Sequence, residues 1–120
     1  YAVDWRTSDD GLQIPTESVI QGVVADLVRG QSASRISRRF HTTLIRLFTD
    51  LCAHLRHQTA LDRVVLSGGA FQNAILLQEL SRSLEKKGFA VYTHRLVPPN
   101  DGGIALGQAV AAGAIMTDRA

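Results

Sequence analysis

One cysteine, one tryptophan and one methionine occur in the whole chain of 120 residues. The single thiol, Cys52, cannot close a disulfide within the chain, which excludes a cross-linked secreted scaffold and fits a reducing, cytoplasmic compartment. Proline is nearly as scarce, with Pro15 alone and Pro98–Pro99 as a pair. No apolar run approaches the roughly 20 residues of a membrane-spanning helix, and no signal-peptide pattern opens the chain. A dominant charge is lacking too: 13 Lys and Arg against 11 Asp and Glu leave a net +2, too little to argue for nucleic acid. The one tight basic cluster, Arg35, Arg38 and Arg39, reads as a solvated helix face. At 45% hydrophobic and 20% charged, the composition is that of a folded domain rather than a disordered one. The length allows one domain over residues 1–120 or a piece of a larger one, and the abrupt opening at Tyr1 reads as a chain cut from something longer.

What is present is mostly helical pattern. Residues 1–12 show no sustained periodicity. Thr16 is a plausible N-cap for a helix whose apolar face is Val19, Ile20, Val23, Val24, Leu27 and Val28, and Gly30 ends it. Ser32 or Ser34 opens a longer helix to about Gln58, with Ile36, Phe40, Leu44, Leu47, Phe48, Leu51 and Leu55 recurring at three and four. Arg63–Leu66 reads as a short buried strand, and from about Phe71 the pattern is helical again until Gly88. Phe89–His94 is a second strand, so strand, helix and strand form a parallel βαβ unit. The last helix, from about Asp101 to Met116, is so rich in Ala and Gly that close packing on a neighbouring helix or sheet is expected. Two strands make a marginal sheet. Either the amino-terminal segment adds strand or a part outside these residues completes the core, and the second is favoured.

Two segments carry chemistry. Ser67-Gly68-Gly69-Ala70 follows the first strand and leads into a helix, an arrangement that presents backbone N–H groups to a phosphate. Pro98-Pro99-Asn100-Asp101-Gly102-Gly103 stops the second strand and opens the last helix. Asn100 or Asp101 can cap that helix, and Gly102 and Gly103 allow close approach. Both segments fall at the carboxyl edge of one parallel sheet, where open α/β folds bind ligands. Cys52, His54 and His57 share a helix, but nothing supplies a fourth metal ligand, so they are read as a buried thiol and two partly exposed histidines. His41 is either a satisfied histidine at the edge of an apolar stripe or a contact with a ligand. His94 ends its strand near the Pro-Pro loop. No Ser-His-Asp or Cys-His nucleophile arrangement can be argued.

Val64-Val65-Leu66-Ser67-Gly68-Gly69-Ala70-Phe71-Gln72-Asn73, then Val91-Tyr92-Thr93-His94, then Pro98-Pro99-Asn100-Asp101-Gly102-Gly103-Ile104-Ala105-Leu106-Gly107-Gln108 resemble the carboxyl-terminal part of the HypF carbamoyltransferases, which mature nickel–iron hydrogenases. Arg39-Phe40-His41-Thr42-Thr43-Leu44 resembles the Phe-His-x-Thr-Leu segment of that family's long helix. The resemblance implies an α/β fold: half of an actin/Hsp70-type ATPase (Kae1-like) domain, mostly helical with a small parallel βαβ unit. It implies that Ser67, Gly68, Gly69 and Asn73, with Gly102 and Gly103, bind the nucleotide of ATP or carbamoyl-adenylate. Asp101 would be a ligand of a divalent metal. The family hydrolyses carbamoyl phosphate, forms carbamoyl-adenylate, and passes the carbamoyl group to the carboxyl-terminal cysteine of a partner, HypE. No nucleic acid or membrane partner is implied.

The chain departs from the family at Ala70 and Ala74, where Val and Arg are usual, which removes a basic side chain near the expected nucleotide. The family's acylphosphatase, zinc-finger and YrdC-like domains are not in these residues, nor is the first half of the Kae1-like module with its His-x-x-x-His metal ligands. Competing readings are a tRNA threonylcarbamoyl transferase-like domain, an antibiotic O-carbamoyltransferase domain, and a non-catalytic nucleotide-binding or interaction module. Phe71-Gln72 before Asn73, and Gly-Gly-Ile-Ala-Leu-Gly after Asp101, favour the hydrogenase-maturation family.

Overall fold

Apolar residues repeating at three and four along a single long helix organise the molecule. A computed structural model describes residues 1–9 and 11–117. The elements run β1 (Arg6–Ser8), β2 (Gly11–Gln13), α1 (Glu17–Val28), α2 (Ala33–Thr59), β3 (Arg63–Leu66), α3 (Ala74–Lys86), β4 (Ala90–Thr93) and α4 (Ile104–Thr117), with short 3-10 turns at Gly69–Gln72 and Asp101–Gly103. Ser32 caps α2, its hydroxyl accepting from the Arg35 N–H at 3.4 Å, and Ala60 closes it in a left-handed conformation. Thr16 does not cap α1 with its side chain; its carbonyl instead accepts from the Val19 and Ile20 N–H groups. Gly30 turns the chain after α1 with a φ of 69°, a region closed to most side chains.

β3 and β4 pair in parallel, Arg63 opposite Ala90 through Leu66 opposite Thr93. α3 crosses between them. One face of this sheet packs on α2 and α3, where Ile45, Leu66, Leu76, Leu80, Leu84 and Phe89 form the buried core. Leu84 is completely enclosed, at 0% exposure. Leu84→Ala is therefore expected to lower stability by about 2–5 kcal/mol, through lost transfer energy and an unfilled cavity. The urea midpoint of the purified variant checks this. Arg56 closes the far end of the core, lying 4.3 Å above the Phe89 ring and donating to the Lys87 carbonyl at 2.8 Å.

The amino-terminal segment differs from its sequence reading. It forms an antiparallel hairpin, Arg6 opposite Gln13, in strands too short to show periodicity. That hairpin is a separate sheet, so β3–β4 remains two-stranded. The face of β3–β4 away from the core is open, with Val65 and Tyr92 exposed.

The expectation for the last helix is also corrected. None of α4 is buried, and its main neighbour among the described residues is the turn that precedes it. Ile104, Leu106, Val110, Ile115 and Met116 all face outward. Its Ala and Gly residues make it apolar all round, a pattern of helices buried on every side, yet none of the described residues buries it. The radius of gyration of 17.7 Å reflects that projection, against about 13–14 Å for a compact domain of this length.

Candidate functional site

Parallel pairing decides which residues meet at the sheet's carboxyl edge. Leu66 and Thr93 are register partners, so the residues that follow them, Ser67 and His94, emerge side by side. The Ser67 hydroxyl and His94 Nε2 lie 2.7 Å apart. One residue further, the Gly68 N–H donates to the Pro99 carbonyl at 2.7 Å, tying the first loop to the second. Gly68 reaches this position with a φ of 103°, which only glycine adopts without strain. The two segments singled out in the sequence thus form one structural unit.

A cavity of about 320 Å³ lies against this junction, walled by Leu66, Phe71, Leu77 and Pro99 with Gln72 and His94 at its polar side. A β-carbon placed on Gly68 or Gly69 would meet nothing within 4 Å, so the first loop is open to its surroundings. The Gly69 and Ala70 N–H groups find no backbone acceptor among the described residues. The second glycine pair has a different reason. A β-carbon on Gly102 would lie 3.0 Å from Pro98 Cγ, and one on Gly103 would lie 2.9 Å from the Pro98 carbonyl. A side chain at Gly103 would clash with the loop's own backbone, and one at Gly102 would crowd Pro98, so both glycines serve the packing of their own loop. Their N–H groups are both satisfied by Asn100, through its side-chain oxygen at 3.1 Å and its carbonyl at 3.0 Å.

Asn100, not Asp101, is thus the cap. Asp101 is exposed, and its carboxylate makes no hydrogen bond among the described residues. Asn73 caps α3, its Oδ1 accepting from the Leu76 N–H at 3.1 Å, while its Nδ2 lies 2.8 Å from His41 Nε2. α3 consequently begins at Ala74, after the 3-10 turn, rather than at Phe71. His41 and His94 both join the site residues, a placement that the sequence left open.

The remaining candidates lie elsewhere. No group of three or more His, Cys, Asp or Glu side chains that could hold a metal ion occurs among the described residues. Burial pushes the Cys52 thiol above its ordinary range, the opposite of what a thiolate ligand needs. His54 packs against Trp5, with ring centroids 5.5 Å apart, and His57 is exposed. The arginine cluster is exposed, as expected, but two of its three members are ion-paired. Arg39 pairs with the buried carboxylate of Asp26, which also accepts from the Tyr1 hydroxyl at 2.9 Å. Arg38 pairs with Glu79 at 2.7 Å across to α3, leaving Arg35 without an ion-pair partner among the described residues. Asp26, a buried acid on a helix otherwise read as apolar and solvated, is the residue that pattern reading missed. A cavity of about 480 Å³ lies beside this pair, lined by Tyr1, Trp5, Arg39 and Arg46 among others, away from the glycine loops.

Residues 1–108 match the family described as "Carbamoyltransferase, Kae1-like Domain, second subdomain". The chain belongs to the HypF carbamoyltransferase family. It is 38% identical over 110 residues to carbamoyltransferase HypF of Synechocystis, covering 92% of this chain and 12% of that one. Carbamoyltransferase HypF2 of Cupriavidus necator is 43% identical over 77 residues, 64% of this chain and 10% of its own. A crystal structure of full-length HypF in a phosphate- and nucleotide-bound form superposes with a TM-score of 0.92 at 40% identity, over 97% of this chain and 15% of that one. HypF of T. kodakarensis shares the fold, with a TM-score of 0.72 at 22% identity. The mostly helical architecture with a small parallel sheet is that of the Kae1-like domain in HypF. The chain spans about a tenth to a seventh of the length of these HypF relatives.

Proposed function

We propose that this chain is the nucleotide- and metal-binding half of a carbamoyltransferase that makes carbamoyl-adenylate and transfers the carbamoyl group to a HypE-like maturation protein. The observation that carries this reading is the Gly68 N–H to Pro99 carbonyl bond, which draws the two family motifs together beside an apolar cavity. Ser67, Gly68, Gly69 and Asn73 form the nucleotide-facing wall, and Gly102 and Gly103 keep the opposite loop close and low. Flat apolar walls from Phe71 and Pro99 suit a purine, while Gly69, with open space around it, suits phosphate or ribose approach. The nucleotide-bound HypF structure of the same fold supports ATP as the cofactor class.

Asp101 fits a metal as one charged oxygen donor, exposed and without a hydrogen bond among the described residues, on a loop stiffened by Pro98 and Pro99. A divalent ion held there would neutralise charge on bound phosphate oxygens. One carboxylate is a weak site by itself, so further ligands would come from the rest of the Kae1-like module. The chain alone is accordingly expected to show no carbamoyl-phosphate-dependent ATP turnover. A longer carbamoyltransferase carrying it should show that turnover and should carbamoylate the carboxyl-terminal cysteine of a HypE-like acceptor, read by intact mass. Turnover by the purified chain would overturn the half-site reading. Absence of both activities in the longer protein would overturn the assignment of function.

A further inference from the structure

Asn73 lies in a hydrogen-bonded chain that runs across two helices. His41 Nδ1 lies 2.8 Å from the Ser37 carbonyl, an oxygen that can only accept, so the Nδ1 position carries the hydrogen. Nε2 is then the acceptor, and the group 2.8 Å from it is Asn73 Nδ2, a donor. At the other end of the same amide, Oδ1 accepts from the Leu76 N–H. Each link fixes the next, and the orientation of the Asn73 amide is set at both ends. One Nδ2 hydrogen is engaged by His41, and the second has no acceptor among the described residues. Both side chains lie at the surface end of the core, where His41 is half-buried and Asn73 exposed.

We propose that His41 is a positioning residue: it fixes the Asn73 amide so that the second Nδ2 hydrogen is presented to the nucleotide. This rests on the nucleotide-binding reading of Asn73. A histidine serves here because its far ring nitrogen, Nε2, is the atom that reaches Asn73, while the Ser37 carbonyl, one turn back on α2, selects the tautomer in which Nε2 accepts.

The test uses a longer carbamoyltransferase carrying this chain, with ATP affinity measured by calorimetry and fold integrity by thermal melting. His41→Leu removes the acceptor and is expected to weaken ATP binding about five- to tenfold, the worth of one hydrogen bond. His41→Gln places an acceptor oxygen near the Nε2 position and should restore affinity to within about twofold, the residual being a fraction of one such bond. His41→Asn is polar but too short to reach, and should behave like the Leu variant even if the latter folds poorly. Asn73→Ser retains the α3 cap but lacks Nδ2. It should bind ATP more weakly, and adding His41→Leu to it should cost nothing further.

Equal affinity of the Gln and Asn variants would overturn the positioning role. So would weak binding by Asn73→Ser combined with normal binding by His41→Asn, an outcome that leaves the nucleotide reading of Asn73 standing. Normal binding by Asn73→Ser would overturn that reading, and the proposal with it.

Discussion

Asp101→Asn in a longer carbamoyltransferase carrying this chain is expected to reduce metal occupancy and carbamoyl transfer together, with transfer falling about a hundredfold or more. Asp101 itself supports little of the local structure. The cap of the Asp101–Gly103 turn that leads into α4 is Asn100, whose side chain accepts from the Gly102 N–H, so replacing Asp101 leaves that cap intact. No packing is lost either, because Asp101 is exposed. The only structural contribution left is a negative charge near the start of α4, worth about 0.3–1 kcal/mol. A purely structural Asp101 therefore predicts a small change in melting temperature and an unchanged transfer rate. A metal ligand predicts the reverse, since Asn keeps the shape of the side chain but lacks the charged oxygen. Metal content by elemental analysis, set beside the transfer rate, separates the two. A variant that keeps both would leave Asp101 without a role in the site.

Gly69→Val should weaken ATP binding about tenfold or more, the effect of forcing bulk into a close contact of roughly 1–3 kcal/mol, and leave the fold unchanged. Gly69 is the clean position for this experiment. Its φ lies outside the left-handed region, and a β-carbon there meets nothing within 4 Å. Gly68 is not clean, because its φ of 103° would make any side chain a source of strain. Gly102 and Gly103 are crowded by Pro98, so substitution there would disturb the loop before it reported on a ligand. Calorimetric ATP titration with a parallel thermal melt gives the result. Unchanged affinity in a folded variant would remove the Ser67–Gly69 loop from the nucleotide site.

Much of this site follows from local rules. The strand ends, the stop imposed by Pro98–Pro99, the Asn73 cap and the stripe along α2 are all consequences of residues within a few positions of one another. The fold class followed too, because strand, helix and strand in that order admit few arrangements. Local rules erred where two candidates competed or where a partner lay far along the chain. Thr16 looked like a cap, but the turn leaves its hydroxyl without that bond. Arg39 is exposed as read, but its ion pair was not legible, because its carboxylate partner, Asp26, lies 13 residues away on another helix.

The amino-acid sequence by itself determined the four helices, the parallel strand pair and the two loops, since each rests on short-range pattern, and the motifs on those loops carried the resemblance to the family. Tertiary structure alone decided that Ser67 meets His94, that Gly68 is tied to Pro99, and that His41 holds Asn73. These contacts join residues 27 to 32 positions apart, and they exist only once the parallel register and the packing of α2 on α3 are set. Tertiary structure also showed that the small residues of α4 are not buried by the described residues. Composition reports that a helix can pack closely, whereas what it packs against is a matter of position in space.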